Sequence, residues 1–225
     1  MTHLPADAAV GPTDDGGPDA PLIARALLID LDGTLLDSTE AIVASWGRVA
    51  DSVGVDRDVV ASLMHGIPPR QVVDQIAPWL NREARAGLVE QFHVGVILDQ
   101  SPVAWKAGAK QLVDALQGEQ WAVVTSGSRD LAESSMRKAG MRPPPLLVTA
   151  DDIEVGKPDP APYLRAARLL DVPAEQCLVV EDAPAGITAG RRAQMRVVAV
   201  TGTYAAASLD EATVVVDRLP RVRVV

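Results

Sequence analysis

Two aspartates spaced two residues apart, Asp30 and Asp32, are the first residues of the chain whose types and spacing could do chemistry. Asp30 closes the apolar run ALLID (26–30). In an extended backbone, side chains two residues apart point to the same side, so both carboxylates can face one site. Gly33 then allows a sharp turn without a Cβ penalty. Asp-Gly is also an ordinary turn signal, so this pair alone does not decide between a site and a turn.

Small polar residues follow a second apolar run, WAVVT (121–125). Ser126, Gly127 and Ser128 stand where a helix is predicted to begin. Hydroxyls and free N–H groups at a helix N-terminus bind anions. We predict that Ser126 and the Gly127 amide bind a phosphate group, whereas Ser128 fits equally well as a helix N-cap.

A candidate cation is Lys157, in the segment GKPDP (156–160). Glycine and proline favour a turn, and a lysine in a turn is usually a solvated charge. Lys157, however, lies in the chain between two strand ends that carry other candidate residues. A lysine there would balance carboxylates and hold a phosphoryl group during its transfer.

Two adjacent acids, Glu181 and Asp182, close the apolar run CLVVE (177–181). Carboxylates at the end of a buried strand are costly unless they are neutralised. The alternative is an acidic N-cap for the helix that follows. A hard cation would satisfy both groups, and oxygen ligands without a histidine or cysteine cluster favour Mg²⁺.

Short apolar runs alternate with amphipathic stretches from residue 26 onwards, and this rhythm predicts a doubly wound α/β fold. The runs are β-rich and apolar on both faces, as a covered parallel sheet requires. In open parallel sheets, ligands bind outside the carboxyl ends of the strands, where the candidate residues stand. The predicted strands are ALLID (26–30), WAVVT (121–125), LLVT (146–149), CLVVE (177–181), VVAV (197–200) and TVVVD (213–217).

An interval without a convincing strand separates the first two strands and predicts an all-helical cap inserted over the site. Ile42, Trp46, Val49 and Val53 follow helical spacing, and further helices are expected after Asp56, Pro68 and Asn81. Trp46, Trp79 and Phe92 are predicted to form the core of this cap. The predicted divisions are a disordered tail over 1–20, a core domain over 21–36 and 105–225, and a cap over 37–104.

Composition excludes several classes of protein. The chain has 225 residues, with 21 Lys and Arg against 30 Asp and Glu, a net charge of −9. An acidic chain without a basic run argues against nucleic acid or an anionic membrane as a partner. A single cysteine, Cys177, excludes an internal disulfide. Residues 1–20 lack Lys and Arg and do not resemble a secretory signal, so we expect a cytoplasmic protein.

Together, the segments DLDGTL, TSGS, GKPDP and EDAPAG resemble, in order, the four signature motifs of the haloacid dehalogenase superfamily. The inserted helices resemble the small cap type of that superfamily. The stretches MHGIPPRQVVDQIAP, WAVVTSGSRDLA and VVEDAPAGITAG resemble its glycerol-3-phosphatase and 2-deoxyglucose-6-phosphatase branch. The resemblance therefore implies a phosphatase acting on a small phosphorylated sugar or polyol. The sequence leaves the oligomeric state of the protein open, with a monomer favoured.

The resemblance also implies a role for each motif residue. Asp30 would be the nucleophile that forms an aspartyl phosphate. Asp32 would protonate the leaving alcohol and then activate water, which requires a raised pKa or a proton gained on cap closure. Ser126, the Gly127 amide and Lys157 would bind the phosphoryl oxygens.

The same resemblance implies a Mg²⁺ site. Its ligands would be Asp30, the backbone carbonyl of Asp32, and Asp182, with Glu181 acting through water. In the cap, His65, Gly66 and Arg70 lie between predicted helices and would contact the substrate, with Arg70 hydrogen-bonding hydroxyls or a second charge. A solvated loop arginine and a local cap histidine are the alternative.

A β-phosphoglucomutase is the closest rival, because that enzyme uses the same four motifs and a similar cap. A dehalogenase does not need the second acid, Asp32. A phosphonate-cleaving relative needs a cap lysine, and residues 37–104 contain none. The His65-Gly66 segment resembles the phosphatase branch more closely, so the mutase is the second interpretation.

Overall fold

The computed structural model of the chain describes residues 21–64, 67–116, 118 and 120–225. Within these ranges the strands are β1 (Leu22–Ala24), β2 (Ala26–Ile29), β3 (Leu36–Asp37), β4 (Ala104–Trp105), β5 (Trp121–Val124), β6 (Leu146–Val148), β7 (Cys177–Glu181), β8 (Arg196–Val200), β9 (Val214–Val216) and β10 (Val222–Val224). The α-helices are α1 (Thr39–Val53), α2 (Arg57–Leu63), α3 (Pro69–Ile76), α4 (Arg82–Leu98), α5 (Ala109–Ala115), α6 (Arg129–Lys138), α7 (Ala161–Leu169) and α8 (Pro184–Arg192). The predicted tail over 1–20 lies outside the described residues.

The main sheet has six parallel strands in the order β6-β5-β2-β7-β8-β9. All six apolar runs that predicted strands belong to it, so the doubly wound α/β prediction is confirmed. The chain runs outward from β2 through β5 to β6, then returns to β7 on the other side of β2. This reversal makes the carboxyl end of β2 the switch point, where ligands bind in such sheets.

The two faces of the sheet are covered by different helices. In β2, Leu27 and Ile29 pack into a cluster with residues of α5 and α6. Ala26 and Leu28 pack into a second cluster with residues of α7 and α8. Neighbouring residues of a strand point to opposite faces, so a run that is apolar at every position is buried on both sides. Both faces of β2 are therefore covered by helices, and its carboxyl end is left facing the cleft.

Four helices, α1 to α4, fill the interval between β3 and β4 and share a hydrophobic cluster, to which Leu131 of α6 also belongs. Their starts follow the predicted signals. The Asp56 side chain accepts from the amide of Asp58, and Asn81 accepts from that of Ala84. Trp46 and Phe92 stack with ring centroids 4.3 Å apart inside this cluster.

Trp79 does not belong to the core of the helical insertion, so that part of the prediction was wrong. Its side chain is 64% exposed, because it lies in the turn between α3 and α4 rather than on a buried helix face.

A two-stranded antiparallel ribbon joins the insertion to the sheet. It pairs Leu36 with Trp105 and Asp37 with Ala104. The sequence predicted no strand between residues 36 and 105, because two residues are too few to show a strand's alternation. The ribbon therefore places the segment that leads into the insertion beside the segment that leads out of it. The domain limits at 36/37 and 104/105 stay an interpretation.

Across the part of the chain that the structure describes, no helix is both long and apolar enough to cross a membrane.

Candidate active site

Candidate residues meet in a cleft of about 130 Å³ at the carboxyl ends of β2, β5 and β7. Asp30 follows β2, Glu181 ends β7 and Asp182 comes next, while Lys157 reaches in from the segment before α7. All four side chains are buried. The residues predicted from separate motifs, 127 positions apart in the case of Lys157 and Asp30, are therefore brought into contact.

The ammonium group of Lys157 is the centre of the site. Its Nζ donates to Asp30 Oδ1 at 2.6 Å, to Glu181 Oε1 at 2.6 Å and to the Val124 carbonyl at 3.0 Å. These three bonds use all three donors of a lysine. Burial alone would lower the pKa of Lys157, but the carboxylates of Asp30 and Glu181 raise it. Lys157 is therefore a fixed cation and not a solvated turn residue.

Three carboxylates, those of Asp30, Glu181 and Asp182, offer oxygen atoms within 4.8 Å of one another. Burial raises the pKa of Asp30 well above its usual range, with Glu181 and Asp182 adding repulsion and Lys157 opposing it. Burial and the charge of Glu181 raise the pKa of Asp182 to about 7. A concentrated set of carboxylate oxygens is the donor chemistry that Mg²⁺ prefers, so these residues fit such an ion.

Asp32 lies beside this cluster and is partly buried. Its Oδ1 accepts a 2.5 Å hydrogen bond from the hydroxyl of Ser38, the N-cap residue of α1. Burial raises the pKa of Asp32, while the hydroxyls of Ser38 and Thr125 and the charge of Lys157 oppose the rise. A carboxyl group with a raised pKa is suited to general acid catalysis near neutral pH.

Ser126 and Gly127 line the cleft just after β5. The Gly127 amide already donates to the hydroxyl of Thr125 at 3.0 Å, so a phosphate oxygen would compete with that bond. Ser128 is the N-cap residue of α6, but its side chain makes no capping hydrogen bond. The structure therefore brings both predicted phosphate-binding residues to the cleft, and the Gly127 amide is already hydrogen-bonded to Thr125.

Two glycines allow the carboxylates to sit where they do. A Cβ at Gly33 would lie 1.9 Å from Asp182 Oδ2, and one at Gly186 would lie 1.8 Å from Glu181 Oε1. Gly33 also has a φ of +89°, a conformation that glycine adopts freely. The glycines of the first and last motifs thus make room for acids of the site.

The roof of the cleft comes from the helical insertion and is mostly apolar. Among the described residues it contains Ile42, Trp46, Met64, Ile67 and Phe92, with polar residues at its edge near the start of α1, and no charged side chain of the insertion.

The structure does not bring Arg70 to this cleft. Its side chain lines a separate cavity of about 240 Å³ with Arg82, Arg85 and Asp74. The expectation that Arg70 contacts the substrate gains no support from this position. His65 and Gly66 lie outside the described residues.

Several residues at the site were not singled out from the sequence. Thr34 donates to Asp182 Oδ1 at 3.3 Å, and Thr203 supplies a second hydroxyl to the same carboxylate. Thr203 follows β8, so searching the fifth strand end would have found it. Tyr163 is completely buried and donates to Glu181 Oε1 at 2.6 Å. Its place on the apolar face of α7 gave no signal beyond core packing.

Comparison with known proteins assigns the family. Residues 24–194 match the haloacid dehalogenase-like hydrolases. The chain belongs to this family. Hexitol phosphatase A of Escherichia coli is 33% identical over 206 residues, covering 89% of this chain and 94% of its own. Glycerol-1-phosphate phosphohydrolase 2 of Saccharomyces cerevisiae is 32% identical, covering 81% and 77%. The resemblance to the sugar and polyol phosphatase branch is confirmed.

Further comparisons show a solved structure with the same fold and a mutase with a similar sequence. A hydrolase from Pseudomonas syringae has a TM-score of 0.77 and 26% identity, covering 86% of this chain and 94% of its own. The β-phosphoglucomutase of Bacillus subtilis is 28% identical over 188 residues, covering 78% of this chain and 83% of its own. Proteins similar to this chain therefore include both phosphatases and a mutase.

Proposed function

We propose that this protein is a Mg²⁺-dependent phosphatase that hydrolyses monoesters of small sugars or polyols through an aspartyl phosphate on Asp30. The observation that carries the proposal is the buried ammonium of Lys157, bonded at 2.6 Å to both Asp30 and Glu181. A fixed cation beside a nucleophilic carboxylate suits phosphoryl transfer, which depends on positioning and charge neutralisation.

In the first step, a carboxylate oxygen of Asp30 attacks phosphorus and the bond to the leaving alcohol breaks. Asp32 gives its proton to the departing oxygen. In the second step, Asp32 takes a proton from water, which attacks the phosphorus of the acyl phosphate and releases inorganic phosphate and Asp30. Ser126 binds the phosphoryl oxygens throughout. The Gly127 amide joins it by leaving Thr125, and Lys157 joins it by turning the donor that now bonds Asp30 to a phosphoryl oxygen.

A bound Mg²⁺ would neutralise charge on the carboxylates and on the phosphoryl group. Asp30, Asp182 and the backbone carbonyl of Asp32 would hold it, with Glu181 acting through water. The cluster of three buried carboxylates around a single lysine supports this assignment, because one cation leaves the acids incompletely balanced.

The substrate class is proposed from the roof and the relatives. Hexitol and glycerol phosphates appear in the names of similar phosphatases. The described part of the roof is mostly apolar and carries no charge, which favours an uncharged leaving alcohol over a second phosphate or a carboxylate. The apolar side chains would contact the C–H groups of a sugar or polyol.

We propose that the protein is located in the cytoplasm and acts as a monomer. The charge of −9 and the single buried cysteine support a reducing compartment and a small-molecule partner instead of nucleic acid or a membrane surface.

The second candidate is a phosphosugar mutase, which the similarity to β-phosphoglucomutase favours. A mutase protects its phosphoenzyme from water until the sugar has turned around, whereas a phosphatase admits water at once.

Release of inorganic phosphate from a panel of C3 to C6 sugar and polyol phosphates separates the two candidates. The panel includes β-glucose 1-phosphate, and each reaction is repeated with excess EDTA. We expect Mg²⁺-dependent release from a few esters. Conversion of β-glucose 1-phosphate to the 6-phosphate without release would establish the mutase, and unchanged release in EDTA would refute the metal requirement.

A further inference from the structure

We propose that Tyr163 is a positioning residue. It holds the Glu181 carboxylate in place, and through Glu181 it keeps the ammonium of Lys157 in contact with Asp30. This inference rests on the proposed function, because it assigns a part in that reaction to a residue outside the four motifs. Tyr163 lies on α7, one turn beyond the segment that carries Lys157, and its side chain is completely buried.

The first step of the argument is that one carboxylate oxygen is shared. Glu181 Oε1 accepts from the Tyr163 hydroxyl at 2.6 Å and from Lys157 Nζ at 2.6 Å. The other oxygen, Oε2, accepts from the amides of Asp182 and Ala183 at 3.1 and 3.3 Å. Glu181 is therefore anchored by four donors on two sides, and Tyr163 is the side chain that approaches from the core.

The second step is that Glu181 is one of three hydrogen-bond partners that orient the ammonium of Lys157. Its remaining partners are Asp30, which reacts, and the Val124 carbonyl. The ammonium also lies 5.2 Å from the centre of the Tyr163 ring, within the distance at which a cation is attracted to an aromatic face. Tyr163 thus contacts both members of the Lys157–Glu181 pair.

The third step concerns charge. The site holds three carboxylates close together, so another cation in place of Tyr163 would change the balance that the metal and the phosphoryl group need. A tyrosine hydroxyl donates a hydrogen bond without adding charge. Tyr163 can therefore fix Glu181 in place while leaving the negative charge of the site unchanged.

The test is a double-mutant cycle with Tyr163→Phe and Glu181→Gln, measured on kcat and KM with the best ester of the panel. A hydrogen bond to a charged group predicts that Tyr163→Phe lowers kcat by about tenfold or more and leaves KM within about twofold. If Tyr163 acts through Glu181, the same substitution costs less than about twofold in the Glu181→Gln protein. Equal losses in both backgrounds, or a loss below about twofold in the wild type, would overturn the proposal.

Calorimetric titration of the substrate-free proteins with Mg²⁺ provides a readout that does not need turnover. We expect Tyr163→Phe to weaken Mg²⁺ binding by about threefold or more in the wild type and to have little effect in the Glu181→Gln protein. Unchanged Mg²⁺ affinity in Tyr163→Phe would count against the positioning role. Because this readout is independent of hydrolysis, a protein that releases no phosphate would contradict the proposed function without deciding the role of Tyr163.

Discussion

At the scale of single residues, the site depends on one lysine that balances several acids. When Asp30, Glu181 and Asp182 are all ionised, Lys157 leaves two negative charges uncompensated, which a divalent cation would neutralise. Removing one partner from a buried ion pair typically costs about 3–5 kcal/mol, because the other charge is left without compensation. The same contacts that hold the nucleophile therefore also affect the stability of the fold.

Gly186→Ala tests whether activity depends on the position of the Glu181 carboxylate. The added Cβ would lie 1.8 Å from Glu181 Oε1, so the carboxylate must move away from Lys157 and Tyr163. We expect phosphate release to fall by about a hundredfold or more, in line with loss of electrostatic positioning.

The matched control is Gly87→Ala, also within a helix, where an added Cβ meets nothing within 4 Å. This change should keep full activity and stabilise the protein by up to about 1 kcal/mol in urea unfolding. Equal activity in the two variants would show that phosphate release does not depend on the position of the Glu181 carboxylate.

Residue types and spacing were sufficient to predict that the acids and Lys157 meet, because each acid stands at a strand end and Lys157 lies between two such ends in chain order. Tyr163 could not be predicted in the same way, since a tyrosine on an apolar helix face looks like core. Arg70 was expected at the cleft because its segment connects two cap helices. Helix α3 begins at Pro69, and the rotation of that helix turns Arg70 to the separate cavity.

At the scale of elements, Ser38 connects the helical insertion to the chemistry. It precedes α1 at the end of the β3–β4 ribbon and donates to Asp32 at 2.5 Å. Because Ser38 begins a cap helix, a movement of the insertion would change this hydrogen bond. The hydrogen bond from Ser38 therefore links the position of α1 to the environment of the Asp32 carboxyl group.

A comparison of Ile42→Ser with Val43→Ser on the same helix tests whether the roof of the cleft contributes to activity. Ile42 lines the cleft, whereas Val43 is 44% exposed on another side of α1. Loss of apolar contact predicts that Ile42→Ser lowers kcat/KM for the preferred ester by about three- to tenfold. Val43→Ser should remain within about twofold of the wild type, since an exposed side chain makes few contacts. Kinetics that do not distinguish the two variants would contradict the role of the roof.

Elements with strong local signals were predicted well. Asp56 and Asn81 are N-cap residues and mark the starts of α2 and α4. The β3–β4 ribbon was missed because its strands are held by pairing across a long insertion and leave no periodic pattern. The exposure of Trp79 was missed because hydrophobicity alone does not reveal which side of a turn faces solvent.

At the scale of the whole molecule, the reversal of strand order at β2 concentrates acids that the chain spreads over about 150 residues. Burying them raises the pKa of Asp30 and of Asp182, and so links stability to pH. A carboxyl group whose pKa is higher in the folded state binds more protons there. Its contribution to stability is therefore present at low pH and is lost as pH rises through the folded pKa.

The metal-free protein is accordingly expected to lose stability between about pH 4 and pH 7 as Asp182 ionises, by up to about 1.4 kcal/mol per pH unit. Mg²⁺ binds the ionised carboxylates, so its addition should raise Tm more at pH 8 than at pH 5.5. Calorimetry of the wild type and of Asp182→Asn, with and without Mg²⁺, checks this. A Mg²⁺ shift that is the same at both pH values, or that survives in Asp182→Asn, would contradict the assignment of the site.

The central claim, hydrolysis of phosphate monoesters with Asp30 as the nucleophile, is tested most directly by comparing phosphate release by the wild type and by Asp30→Asn. The amide has nearly the same shape but cannot form the acyl phosphate, so we expect a loss of about a thousandfold or more. Urea unfolding of both proteins shows whether the variant is folded. A folded Asp30→Asn protein that releases phosphate at the wild-type rate would contradict the account.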